Sequence, residues 1–350
     1  MADVDVLITF GLDHELVQRI RGVDSRLRVS ALSPAQRALF RGGRPVWRRS
    51  SEVAPAAEGS EGDARRGLDE ALAEAEVLFT LSTMPADLLS RAPRLKWIQL
   101  TSAGADRLVN RQIFQSGVAI TTAGGIYVAP IGEYVLGVMI MLAKGWPYLF
   151  RAQEKREWAR LTPQELRGKT VGVVGLGSVG QEVARLAKLL DMRVLGVRRS
   201  GAPLESGEYL VDEIFGPLDL LHVLSESDYV VLALPLTEET HYLMGELAFQ
   251  AMKPSAYLIS VSPGAVVDET ALVRALKVGL IAGAGLDVFE SEPLPSTSEL
   301  WKLRNVIISP HIAAETPHYN ERAVAFFCDN LRRYLADEPL LNLVDPKRGY

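Results

Sequence analysis

The stretch TVGVVGLGSVGQEVARLAKLL, Thr170 to Leu190, decides the fold. It opens as an apolar, β-rich run and turns on Gly175-Leu176-Gly177-Ser178-Val179-Gly180. From Ser178 it continues with the spacing of an amphipathic helix. G-x-G-x-x-G alone is a weak signal, but set between a strand and a helix it is the phosphate turn of a dinucleotide-binding unit. Gly175 permits the tight turn, Gly177 lets the backbone approach a pyrophosphate, and Gly180 lets the helix pack on the strand. The helix N-terminus, at Ser178 and Val179, then offers N–H groups and a positive dipole to the anion.

Working outward, apolar β-rich runs alternate with helical patterns along the chain. Val6-Phe10, Val77-Leu81, Lys96-Leu100 and Val118-Thr122 read as one series of strands. Thr170-Gly175, Arg193-Val197, Tyr229-Leu234, Tyr257-Val261, Gly283-Val288 and Val306-Ser309 read as a second. Several are apolar at both alternating positions, as expected of parallel strands covered on both faces. Helices fit at Ser178-Leu190, Glu269-Val278 and, as a long element, from Ala129 to about Trp146. This rhythm predicts an α/β protein of two doubly wound, Rossmann-like parallel-sheet domains. The first runs to about residue 120, and the second starts with the long helix and ends near Pro310. Arg41 to Gly67, rich in Gly, Arg, Ala and Ser, is expected to be a long loop. The terminal helix, Pro317 to Asp337, carries Ala323, Val324, Phe326, Phe327, Leu331 and Leu335, so it must dock on one of the domains.

At 350 residues the chain can bury two cores. Its net charge of −5 argues against a nucleic-acid partner. The longest apolar run, Tyr134 to Ala143, is too short to span a bilayer. The start, MADVDVLITF, lacks the basic region of a signal peptide. The single cysteine, Cys328, sits in an apolar helical context, and together these features predict a cytoplasmic protein. No His/Cys/Asp cluster has metal-ligand spacing, so no metal is expected.

The strand after the glycines should end at the adenosine ribose, where an Asp or Glu would select NAD. Here the sequence is Val197-Arg198-Arg199-Ser200. Two guanidinium groups and a hydroxyl suit a 2′-phosphate, so NADP is the expected cofactor, with NAD possible. Two later strand ends carry ionisable groups: Asp287, Glu290 and Glu292 in AGAGLDVFESEPLP, and His311 in NVIISPHIAAET. A His beside a carboxylate can transfer a proton. The other histidines, His14, His222, His241 and His318, lack such a setting and read as structural.

The pieces LTSAGADRL, GLGSVG, LPLTEET, GAVVDETALVRALKVGLIAGAGLDVFESEPLP and SPHIAAET resemble the D-isomer-specific 2-hydroxyacid dehydrogenase family over nearly the whole chain. The resemblance implies a nucleotide domain, 121–316, inserted into a split flavodoxin-like substrate domain, 1–120 plus 317–350, to which the last helix returns. It implies hydride transfer between nicotinamide and a small 2-oxo or 2-hydroxy acid, and a homodimer. His311 would be the acid/base and Glu292 its partner, with Asp287 holding the carboxamide. Backbone N–H groups of Ser102, Ala103 and Gly104 would receive the substrate carboxylate, with Tyr127 near the substrate. Leu234, Pro235 and Thr240, together with Val261 and Ser262, would lie along the cofactor. RRS resembles the NADPH-using glyoxylate and hydroxypyruvate reductases of the family. The apolar girth of the long helix, from Ile131 to Leu142, suggests burial at a twofold interface.

One position departs from the family pattern. Its catalytic Arg, in N-x-x-R-G, is matched here by Ser260-Val261-Ser262-Pro263-Gly264, so Pro263 stands in the arginine's place. Losing a charge-assisted bond costs about 1.5–3 kcal/mol, and losing orientation costs more. Three accounts stay open: a weak or inactive enzyme that still binds nucleotide as a sensor or scaffold; a shifted substrate, or an anchor from Arg107, Arg156 or Tyr127; or an altered copy of an active protein. The intact Glu292 and His311 favour an enzyme.

Overall fold

The computed structural model describes residues 3–42, 60–105, 112–199 and 210–345. The chain divides into two compact units, Met1–Ile126 with Pro317–Tyr350, and Tyr127–Thr316.

The first unit is built from β1 (Val4–Ile8), α1 (His14–Arg21), β2 (Leu27–Ala31), α2 (Pro34–Phe40), α3 (Glu61–Glu74), β3 (Val77–Thr80), α4 (Leu88–Arg91), β4 (Trp97–Leu100), α5 (Gln112–Gln115) and β5 (Ala119–Thr121). Its strands are parallel in the order β2-β1-β3-β4-β5, the flavodoxin-like winding. β1, β3 and β4 are buried along their whole length, which is why apolar residues dominate them, with Asp5, Thr80 and Gln99 the buried polar exceptions. β2 was not expected from the sequence, because as an edge strand it buries only Leu27 and Val29. The loop expected from Arg41 to Gly67 is also corrected in part. α3 already begins at Glu61, where Ser60 Oγ accepts the Asp63 N–H and acidic side chains fill the first turn. Residues 43–59 lie outside the described residues.

The second unit comprises α6 (Val128–Ala143), α7 (Trp146–Glu154), β6 (Thr170–Val174), α8 (Ser178–Leu189), β7 (Arg193–Val197), β8 (Glu213–Phe215), α9 (Leu220–Glu226), β9 (Tyr229–Leu232), α10 (Glu246–Ala251), β10 (Tyr257–Ser260), α11 (Glu269–Val278), β11 (Gly283–Leu286) and β12 (Val306–Ile308). Its parallel sheet runs β12-β11-β10-β9-β6-β7-β8. The winding reverses between β6 and β9, and such a switch point opens a crevice at the strands' C-terminal ends. One face packs under α9, α10 and α11, with Leu224, Phe249 and Leu272 in the core. The other packs under α6 and α8, with Val135, Val138 and Val183.

The long helix expected from Ala129 to about Trp146 is α6, which ends at Ala143, and a further helix follows it. Gly145 takes a left-handed conformation (φ 69°), and α7 starts afresh with Pro147 in its first turn, bent 66° from α6. Among the described residues no single helix is long and apolar enough to cross a membrane. α6 buries Val135, Val138, Met139 and Leu142 inside its own unit, so much of its apolar surface is explained without a partner. Ile140 on α6 and Trp146, Tyr148 and Phe150 on α7 stay exposed.

The last helix, α12 (Tyr319–Leu335), packs on the first unit. Phe327 stacks on Phe79 with ring centroids 4.2 Å apart and lies 5.4 Å from Trp97. Asn330, fully buried, donates to Gln99 Oε1 and to the Leu341 carbonyl and accepts the Leu341 N–H. Cys328 is buried on the same face, and burial pushes its thiol up.

Candidate functional site

The phosphate turn leaves β6 at Gly175, whose φ of 102° excludes a side chain without strain. A Cβ there would also strike the Ala233 carbonyl at the end of β9, and one on Gly180 would strike the Gly175 carbonyl. Gly177 differs: nothing lies within 4 Å of where its Cβ would be. The space over Gly177 opens outward, and no side chain caps α8. The first N–H groups of α8, at Ser178, Val179 and Gly180, have no intrahelical acceptor by helix geometry. This set has the donors and the open space that a dinucleotide pyrophosphate needs.

Arg198 follows β7 directly, and its backbone N–H donates to the Phe215 carbonyl of β8. That ladder fixes where the side chain starts. Arg199 is exposed, and its charge helps hold the Glu239 carboxyl below the usual range, after the Thr237 hydroxyl bond and Glu239's own N–H. Ser200 lies outside the described residues, as does Arg107.

At the ends of β9 and β10 the expected cofactor residues tie one another together. The Leu234 N–H donates to Ser262 Oγ at 2.9 Å, and Ser262 is buried. Thr240 Oγ1 donates to the Pro235 carbonyl at 2.7 Å and accepts the Thr237 N–H at 2.7 Å. The Val261 N–H continues the ladder to the Leu232 carbonyl. The Ser262 and Thr240 hydroxyls, expected to lie along the cofactor, therefore shape the loops themselves. Pro263 is half-buried in an extended conformation (φ −51°, ψ 139°) and starts the tight turn Gly264–Val266. A Cβ on Gly264 would collide with the Phe289 backbone, so this turn lies flat against the segment that leads to Glu292.

Glu292 and His311 meet. His311 Nδ1 lies 3.0 Å from both carboxylate oxygens of Glu292. Glu292 Oε1 also accepts the Phe289 N–H at 3.2 Å, which orients the carboxylate. An ionised carboxylate only accepts, so Nδ1 carries the proton that faces Glu292. The histidine side chain is 38% exposed and the glutamate 11%. Glu290, the neighbouring candidate, is engaged elsewhere: it accepts the Glu269 N–H and the Tyr242 hydroxyl. Glu269 accepts the Glu290 N–H in return, and burial, followed by the charges of Glu290 and Glu292, pushes its carboxyl up.

Asp287, which the resemblance assigns to the nicotinamide carboxamide, has its carboxylate engaged by donors of its own chain. It is 1% exposed. Its oxygens accept from Ser309 Oγ (2.5 Å) and from the Ile312 and Ala313 N–H groups (2.9 Å each). Its carbonyl accepts the His311 N–H at 2.8 Å. His311 is held in the left-handed region (φ 56°), which a residue without a Gly backbone adopts at a cost. Ser309 in turn meets the Tyr134 hydroxyl at 2.6 Å. Sequence reading missed Tyr134 and Ser309, since neither has a motif that announces the other.

Within the first unit, Ser102 Oγ donates to the Gly104 carbonyl at 2.7 Å and the Ser102 carbonyl accepts the Ala123 N–H. Ala103 is exposed at the tip of this short loop after β4. Tyr127, 4% exposed, caps the start of α6. Arg156, with positive φ, is exposed just beyond α7.

Comparison with known proteins agrees with this geometry. A profile described as "D-isomer specific 2-hydroxyacid dehydrogenase, NAD binding domain" matches residues 136–313. Among curated proteins, the chain is 35% identical over 287 residues to a glyoxylate reductase of Thermococcus litoralis, covering 79% of this chain and 85% of that one. Among solved structures, it resembles a D-isomer specific 2-hydroxyacid dehydrogenase of Xanthobacter autotrophicus in complex with NADPH and MES. That match has TM-score 0.77, 29% identity and full coverage of both chains. A probable 2-hydroxyacid dehydrogenase of Rhizobium etli, in complex with NADP, HEPES and L(+)-tartaric acid, matches with TM-score 0.75, 27% identity and full coverage of both chains.

Proposed function

The chain belongs to the D-isomer specific 2-hydroxyacid dehydrogenase family, and from that premise we propose that it reduces a small 2-oxo acid, such as glyoxylate or hydroxypyruvate, with NADPH. The observation that carries this reading is the His311–Glu292 pair at the C-terminal edge of a sheet whose first turn fits a pyrophosphate. When bound, the nicotinamide supplies the hydride for C2 of the acid. His311 Nε2 gives its proton to the C2 oxygen. Glu292, at Nδ1, stabilises the imidazolium before that transfer and keeps the ring in one orientation. In the oxidative direction the same Nε2 takes the proton back. Asp287 fixes the loop that carries His311. The Ser102-Ala103-Gly104 loop receives the acid's carboxylate. The reading is tested by NADPH oxidation at 340 nm, a wavelength set by the cofactor, with glyoxylate, hydroxypyruvate and pyruvate in turn. Turnover of none of them would leave a nucleotide-binding scaffold.

Arg198 selects the cofactor by pairing with its 2′-phosphate. NADPH is expected to bind at least about tenfold more tightly than NADH, or about 1.4 kcal/mol. Arg198→Asp is expected to reverse the order, because a carboxylate repels the phosphate and accepts from a ribose hydroxyl. Fluorescence titration checks both, and equal affinities in the parent would reduce Arg198 to a solvated turn residue.

The exposed Ile140, Trp146, Tyr148 and Phe150 form the surface through which the chain pairs with a second copy about a twofold axis. Sedimentation velocity should show a dimer at micromolar concentration; a monomer would refute this.

A further inference from the structure

Resting on the reductase reading, we infer that Tyr134 is a positioning residue for His311, acting through Ser309 and Asp287. The direction of the hydrogen bonds follows from the acceptors. Ser309 Oγ–H donates to Asp287 Oδ1 at 2.5 Å, so the serine's only proton is committed there. The 2.6 Å contact between Tyr134 and Ser309 therefore has the phenol donating. The chain reads Tyr134 O–H to Ser309 O–H to the Asp287 carboxylate, each bond polarising the next. Burial keeps the phenol protonated by pushing it up to about 12, so it is a donor throughout the working range.

The far end of this chain is the backbone around the acid/base. The Asp287 carboxylate holds the two N–H groups that immediately follow His311, and the Asp287 carbonyl holds the His311 N–H itself. Three consecutive amides, 311 to 313, are thus tied to one residue. They hold His311 at φ 56°, a conformation it would leave if the ties loosened. Tyr134 sits on α6 and Ser309 just beyond β12, so the chain also crosses from a helix on one face of the sheet to the strand edge. Tyr134 touches neither Glu292 nor His311 through any bond described above. Its contribution is to orient the loop that presents Nε2.

Two conservative variants test this. Tyr134→Phe removes only the hydroxyl, and Ser309→Ala removes the middle link. Each is expected to lower kcat for glyoxylate reduction about tenfold, the scale of one lost hydrogen bond. The KM values for acid and NADPH should stay within about twofold, because positioning of a proton donor acts on the chemical step. Hydrogen exchange of the peptide covering residues 311–316 is expected to quicken about tenfold in both variants, with exchange elsewhere in the second unit unchanged. The double variant should be no worse than the poorer single one, since the residues act in series. Unchanged exchange at 311–316 overturns the inference, as does additivity, or a rise in KM with kcat preserved. If the parent protein turns over no 2-oxo acid, the reductase reading falls, and the exchange measurements still decide whether Tyr134 holds this loop.

Discussion

Pro263→Arg is expected to raise kcat/KM for glyoxylate or hydroxypyruvate by at least about 100-fold, or about 2.7 kcal/mol. Residue 263 leaves β10 one position before Gly264, whose turn is pressed against the Phe289 backbone, three residues from Glu292. The family pattern would place the side chain at this position on the substrate. Proline brings no charge and no N–H to that place. Arginine brings a planar fork that can clasp a carboxylate in two charge-assisted bonds. The gain should appear mostly in kcat, because a clasped acid is held with C2 in one orientation. The φ of −51° at Pro263 is ordinary for arginine as well, so the backbone need not move. The NADPH affinity should stay nearly constant, since Gly175 to Gly180 follow β6, and β9 separates β6 from β10. The check is the kcat/KM ratio, variant to parent, at saturating NADPH. A fast parent that is slowed by the arginine would assign Pro263 to the pocket of another substrate. Silence from both proteins would favour the scaffold reading.

The second large effect is at His311. His311→Gln should cut kcat about 1,000-fold, within the range that positioned acid–base catalysis contributes. Glutamine can still hydrogen-bond Glu292 but cannot deliver a proton. Binding of NADPH, measured by fluorescence, should be unchanged. Glu292→Gln gives the sign of the pairing. With the carboxylate gone, the protonated imidazole loses its stabilising charge at 3.0 Å. The protonated form is the one that serves reduction, so the rate should fade at lower pH than in the parent. An unmoved pH–rate profile would remove Glu292 from the mechanism. Loss of NADPH binding in His311→Gln would mean that the substitution collapsed the loop rather than the chemistry.

The sequence made some of this legible and hid the rest for physical reasons. Buried central strands such as β6 and β9 announce themselves, because both faces demand apolar residues. The edge strands β2 and β8 do not, since one is half polar and the other is three residues long. α6 ends close to where the sequence puts it, at Lys144-Gly145, and α7 starts with the proline that follows in Trp146-Pro147. Gly175, Gly177 and Gly180 could be read because one local turn needs all three. Strand-end position set His311 beside Asp287, Glu290 and Glu292, but only the resemblance singled out Glu292, which is 19 residues away. The bonds of Asp287 were beyond local reading. They require β11 beside β12 and α6 across the sheet, which is information about packing rather than about any segment. Three donors close over the Asp287 carboxylate.

The return of α12 to the first unit also sets a timetable for the nascent chain. Phe79 and Trp97 are synthesised early, yet the helix that covers them comes after all of Tyr127–Thr316. At about 5–20 residues per second, that wait lasts roughly 10–40 s. Through it, Phe79 and Trp97 lack the helix that stacks on them, with only α1 beside that face, while the second unit, contiguous in the chain, can finish on its own. Exposed strands with an apolar face are where chains stick to one another. The first unit is therefore the part of this protein that most needs a chaperone during synthesis. A ribosome stalled before Pro317 would release a chain with one finished unit and one adhesive one.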